Sequence, residues 1–109
     1  MEFSKVNERA LEIRSLYKGI QTSFYGKPWS YVESTQGMVG DVGDLMKLVM
    51  AKAKMREYKG DDIDGALAHE LSDIMWSVLV VANQLNIDIE KEFLATMDGL
   101  EKRTVKGKE

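Results

Sequence analysis

The chain has 109 residues, 44% hydrophobic and 30% charged, with a formal net charge of −3 and no cysteine. This describes one folded domain spanning residues 1–109, with a modest core that self-association would enlarge. The acidic balance argues against nonspecific binding to nucleic acid or an anionic membrane, and the lack of cysteine excludes a disulfide scaffold, a thiolate zinc site and a cysteine nucleophile.

The N-terminal stretch MEFSKVNERALEIR is charged throughout and has no signal-peptide apolar region. The longest uncharged run, Ile74 to Ile87, is 14 residues and contains Asn83, Gln84 and Asn86, which is too short and polar for a bilayer span. The expected location is the cytoplasm, with no membrane and no nucleic acid as partner.

Apolar residues recur at helical spacing and proline occurs once, so four helices are predicted. The first runs from about Ser4 to Phe24, with Val6, Ala10, Ile13, Leu16, Tyr17 and Ile20 on its apolar face. Gly26 and Pro28 break it. The second opens on SYVE, a capping box with Ser30 as N-cap and Glu33 at the third helical position. It is predicted to continue to about Tyr58, although Gly37, Gly40 and Gly43 each cost about 1 kcal/mol relative to alanine.

The third helix starts after Asp61 or Asp62 and reaches about Leu85. The fourth takes Asp88 as N-cap and ends near Arg103, leaving TVKGKE as a frayed tail. Short connections imply antiparallel neighbours, and the expected architecture is a small all-α, antiparallel four-helix bundle.

The third helix carries a narrow polar stripe, Glu70, Asp73, Ser77 and Gln84, between two apolar flanks. At about 100° per residue, Leu67, Leu71, Ile74, Val78, Val81 and Leu85 lie on one side of it, and Trp76 and Val80 on the other. A helix apolar around most of its circumference belongs at the centre of a fold. Carboxylates there must be protonated, paired or bound to metal.

The second helix offers a matching pair, Asp41 and Asp44, also three residues apart. If the two pairs face each other, four carboxylates converge, and like charges that close need a cation. An all-oxygen donor set suits Mg²⁺ or Mn²⁺ better than zinc. The competing account leaves the pairs solvated, or bridged to Lys47 or His69. The glycine stripe also has two accounts: close helix packing, or room for metal and phosphate. His69 fits no Glu-x-x-His motif and is assigned a surface or supporting role. The stretch GDDIDGALAHE imitates a calcium loop, but Gly60 and Leu71 occupy its first and last ligand positions.

VGDVGDL followed by ELSDIMWSVLVVANQLNID resembles the MazG-like, all-α nucleoside triphosphate pyrophosphohydrolases, including the dCTP pyrophosphatase branch, from about Trp29 to Arg103. That family's pattern is E-x-x-E on one helix and E-x-x-D on the next. The resemblance implies the fold of that family and Mg²⁺-dependent hydrolysis of a nucleoside triphosphate to monophosphate and pyrophosphate. It implies Asp41, Asp44, Glu70 and Asp73 as catalytic metal ligands, and Trp29, Lys52 and Arg103 as substrate-binding residues. It also implies a homodimer or homotetramer. This chain departs from the pattern in carrying Asp41 and Asp44 for glutamates, Thr96 and Leu100 where phosphate contacts are common, and Ala51 for an aromatic. Two rival expectations are a catalytically weak nucleotide-binding or regulatory bundle, and a helical interaction module whose carboxylates are merely solvated.

Overall fold

A computed structural model describes residues 2–107, and among them the regular structure consists of four α-helices. These are α1 (Phe3–Tyr25), α2 (Tyr31–Lys52), α3 (Ile63–Gln84) and α4 (Ile89–Gly107). The all-α class follows the periodicity of the sequence. The helix ends follow local chemistry that is only partly visible there.

Gly26 closes α1 in the left-handed region at φ 80°, donating its amide to the Thr22 carbonyl, a backbone shape glycine adopts without strain. Ser30 caps α2, its hydroxyl accepting from the Val32 amide and donating to the Glu33 carboxylate. Ser30 and Glu33 thus pair as the sequence announces, but through their side chains and the second helical amide rather than through the reciprocal side-chain-to-amide bonds of a capping box. The side-chain hydrogen bond from Ser30 holds the Glu33 carboxyl below its ordinary pKa.

The expectation that α2 reaches Tyr58 fails by about six residues, because the helix stops at Lys52. Lys54 turns to φ 62° and donates to the Ala51 carbonyl, while the Met55 amide reaches back to Met50. That pair of bonds is a Schellman closure with lysine in the place glycine usually takes. α3 ends in the same way, with Asn86 at φ 57° and the Ile87 amide on the Ala82 carbonyl. Asparagine tolerates that conformation, which is why this end was legible and the other was not. α4 starts at the expected cap, the Lys91 amide donating to Asp88. It then runs through to Gly107, past the frayed tail expected from Thr104 onward, whose last two residues lie outside the described ones.

α2 and α3 form the closest-packed pair, and α1 lies against α3. Lys52 at the end of α2 meets Asp64 at the start of α3, and Gln84 at the end of α3 reaches the Trp29 carbonyl just before α2. Those two contacts run α2 and α3 past each other in opposite senses. α1 is held to α3 by Trp76, whose indole N–H donates to the Ala10 carbonyl at 2.9 Å and whose ring lies 5.4 Å from that of Tyr17. Among the described residues the buried core is small: Ala10, Leu79, Val80 and Ala82, with no large side chain fully enclosed. Every residue of α4 from 90 to 105 is exposed.

Candidate functional site

The polar stripe of α3 faces the space between α2 and α1, and each member has a separate place. Glu70 lies opposite Asp41 and Asp44 of α2, and one carboxylate oxygen from each of the three falls within 4.8 Å of the other two. Three-residue spacing on α2 puts both of its aspartates on one helix face, and the opposed run of α3 brings Glu70 to them. Asp44 is exposed, while Asp41 and Glu70 are half-buried. Glu70 Oε2 is shielded from solvent and has no hydrogen-bond partner. A carboxylate oxygen left in that condition is costly unless a proton or a cation satisfies it.

The electrostatics point the same way. Burial is the main cause that pushes the Asp41 carboxyl above its ordinary pKa, and the charges of Asp73 and Asp44 add to it. Glu70 is raised too, again first by burial and then by Asp41, Asp44 and Asp73, with His69 opposing in both cases. Each of these two carboxyls therefore binds its proton more tightly in the folded chain than in the unfolded one. Between the ordinary carboxylate range and the raised folded value the native state holds more protons, so stability falls as pH rises through that window. In chelating buffer, the melting temperature of the wild type relative to Glu70→Gln should rise as pH is lowered from about 7 to about 5. A relative melting temperature that stays level or falls on acidification would show that the three carboxylates do not sense one another.

Asp73 stands outside the triad. Its Oδ2 is 3.2 Å from His69 Nε2, one turn back on the same helix, and its side chain is 39% exposed. The bridge to His69 weighed as the alternative to a metal role is therefore present for this one carboxylate. The expected convergence of all four resolves into a triad and a neighbour. Three described acidic residues meet the donor chemistry of a hard divalent cation, oxygen atoms of like charge with one of them unpartnered.

Beside the carboxylates lies a cavity of about 580 Å³, within the range of small-molecule sites. Asp41, Asp73 and Ser77 form its acidic and polar end, and Tyr17, Phe24, Tyr25, Trp29 and Trp76 supply aromatic walls. Trp29, expected at this position, is fastened through its backbone. Its amide donates to Gln21 Oε1 at 2.7 Å, and its carbonyl accepts from Arg14 Nη2 at 2.9 Å and Gln84 Nε2 at 3.0 Å. A Cβ at Gly37 would come within 3.3 Å of the indole, so glycine there lets the ring lie against α2. At Gly40 and Gly43 a Cβ would meet nothing within 4 Å, so close helix packing does not account for those two.

The other expected substrate contacts lie elsewhere. Lys52 pairs with Asp64 at 2.7 Å, and Arg103 sits on exposed α4, none of whose described side chains lines the cavity. The sequence reading missed the contribution of α1, where Arg14, Tyr17, Gln21 and Phe24 repeat at intervals of three and four and so share one face. That repeat was available, but the aromatic members read equally well as core. Comparisons of the chain with family models, curated proteins and solved structures return no match in any of the three.

Proposed function

We propose that the protein is a divalent-cation-dependent hydrolase of nucleoside triphosphates, releasing the monophosphate and pyrophosphate. The observation that carries this reading is a carboxylate triad with an unpartnered oxygen, set at one end of an aromatic-walled cavity. Flat aromatic walls suit a nucleobase, and an oxygen-only acidic cluster suits the Mg²⁺ that accompanies a triphosphate. The resemblance of the acidic motifs to those of all-α pyrophosphohydrolases supports the same reading.

In this proposal Asp41, Asp44 and Glu70 would hold the ion. A divalent cation held there would offset phosphate charge and make water more acidic. Asp73, with one oxygen engaged by His69, offers its other oxygen to take the proton of the attacking water. Trp29, steadied by Arg14, Gln21 and Gln84, forms a fixed wall for the base. Trp29→Ala should then change the ratio of rates among bases more than it lowers the melting temperature. A large loss of stability with unchanged base preference would assign Trp29 to packing instead.

The test is a panel of ribo- and deoxyribonucleoside triphosphates with Mg²⁺, scored for monophosphate and pyrophosphate. Direct release of orthophosphate would overturn cleavage at the α-phosphorus. In ¹⁸O-water the label should appear on the monophosphate, because the water attacks there.

A second reading, a nucleotide-binding bundle with little activity, has its own supporting observation. Lys52 is tied to Asp64, and Arg14 donates to a backbone carbonyl. Nucleotides that raise the melting temperature without being hydrolysed would decide for it.

A further inference from the structure

The hydrogen bonds that fasten Trp29 also fix which polar groups remain for a ligand of the cavity. The Trp29 amide can only donate, and it donates to Gln21 at 2.7 Å. The Gln21 atom facing it is therefore the carboxamide oxygen, since a flipped amide would set donor against donor. The NH₂ group is then the part of Gln21 left over, and Gln21 lines the cavity. Arg14 is constrained in the same way. Its Nη2 is engaged by the Trp29 carbonyl at 2.9 Å, while Nε and Nη1 have no partner among the described residues. A guanidinium donates and cannot accept. Trp29 makes its own bonds through its backbone, so its indole N–H is a further donor without a partner among the described residues. All three residues are half-buried.

Nothing near this clamp balances those donors. The hydroxyls of Ser34 and Tyr25 rotate to give or accept and set no preference. The fixed acceptors that line the cavity, Asp41 and Asp73, lie at its acidic end. The two ends are separate stations along α2. Its Ser30 cap follows Trp29 directly, and Asp41 lies 11 residues further on, roughly 16 Å along the axis. With its phosphates at the carboxylates, a nucleotide lying along α2 presents to the clamp the edge remote from its sugar. That edge is position 4 of a pyrimidine or position 6 of a purine.

We propose that Gln21 and Arg14 select the base by an oxo group on that edge, favouring uracil, thymine or hypoxanthine over cytosine or adenine. This rests on the nucleotide reading of the cavity and narrows its substrate class. Stacking on aromatic walls discriminates little, because every base has a π face, so the edge decides. An oxo group accepts from Gln21 Nε2 and from the guanidinium. An exocyclic amine in the same place points hydrogen at hydrogen and leaves half-buried donors cut off from water, which disfavours it by about 10-fold or more. The donor set is the reverse of what cytosine needs at position 4, so the chain should not share the base preference of the dCTP pyrophosphatases it resembles.

UTP and CTP differ chiefly as oxo against amino at position 4, and ITP and ATP do so at position 6. With Mg²⁺, kcat/KM should favour UTP over CTP and ITP over ATP by about 10-fold or more in each pair. Gln21→Glu keeps an oxygen for the Trp29 amide and turns the remaining group from donor to acceptor. It should leave the melting temperature near that of the wild type and cut both ratios by about 10-fold. Both tryptophans of the chain line the cavity, so quenching of their fluorescence by UMP and by CMP reads the same preference without turnover. Equal kcat/KM within both pairs, or ratios unmoved by Gln21→Glu, would overturn the oxo-edge inference and leave the hydrolase reading standing. Stronger quenching by UMP than by CMP, with no triphosphate hydrolysed, would support the inference and overturn the hydrolase reading. Neither quenching nor turnover would overturn both.

Discussion

Glu70→Gln should reduce nucleotide hydrolysis by more than about 100-fold, because it removes a charged oxygen donor from a three-carboxylate site, a larger loss than the 10–100-fold typical of residues that only support metal ligands. The substitution keeps the shape of the side chain. Its effects on stability separate a metal site from an ordinary ion pair. In chelating buffer Glu70→Gln should be neutral or stabilising, since it relieves repulsion from Asp41 and Asp44 and removes a half-buried charge that lacks a partner. In excess Mg²⁺ the wild type should gain stability because the ion binds only the folded state. That gain is about 2.7 kcal/mol at a hundredfold excess over Kd, and the mutant should lose most of it. Melting curves for both proteins, with chelator and with Mg²⁺, check all of this. A wild type that ignores Mg²⁺, with a mutant strongly destabilised in chelator, would mean that Glu70 is structurally paired and that no ion belongs there. Asp73→Asn is the informative companion. With Asp73 outside the triad and held by His69, it should depress turnover while leaving most of the Mg²⁺-dependent gain in stability. Loss of that gain as well would return Asp73 to the ligand set.

Trp76→Ala should be among the most damaging single changes to folding, at about 3 kcal/mol, the lower end for removing a large aromatic because Trp76 is only half-buried. The indole joins α1 to α3 through its hydrogen bond to the Ala10 carbonyl and its contact with Tyr17. It also forms part of the cavity wall. Trp76→Phe keeps most of the packing and should lose about 1 kcal/mol for the missing hydrogen bond. Chemical denaturation of the three proteins gives the order. If Trp76→Ala unfolds at the same denaturant concentration as the wild type, α1 is not docked through this residue, and the cavity it closes does not exist as described.

The residues of α3 illustrate how far a linear reading reaches. Helical periodicity alone showed a central helix with a polar stripe, because burial pattern is a property of spacing and spacing is local. The same reasoning found the caps at Ser30 and Asp88, where a side chain bonds an amide two or three residues away. It found the pairing of acidic residues on each helix face for the same reason. It overran the end of α2, since nothing local marks Lys54 as a left-handed residue and lysine is an uncommon choice there.

What only the tertiary structure decided concerns relations between helices. The opposed run of α2 and α3 selects Asp41, Asp44 and Glu70 as the triad and leaves Asp73 to His69, a choice that three-residue spacing on each helix cannot make. The docking of α1 turns Tyr17 from a member of an apolar stripe into the wall of a cavity, and makes Arg14 and Gln21 on the same helix the clamp on Trp29. Amphipathic spacing says that a helix has a face to bury. Which surface covers that face depends on contacts between residues far apart in the chain, or in another chain, and periodicity carries no record of those.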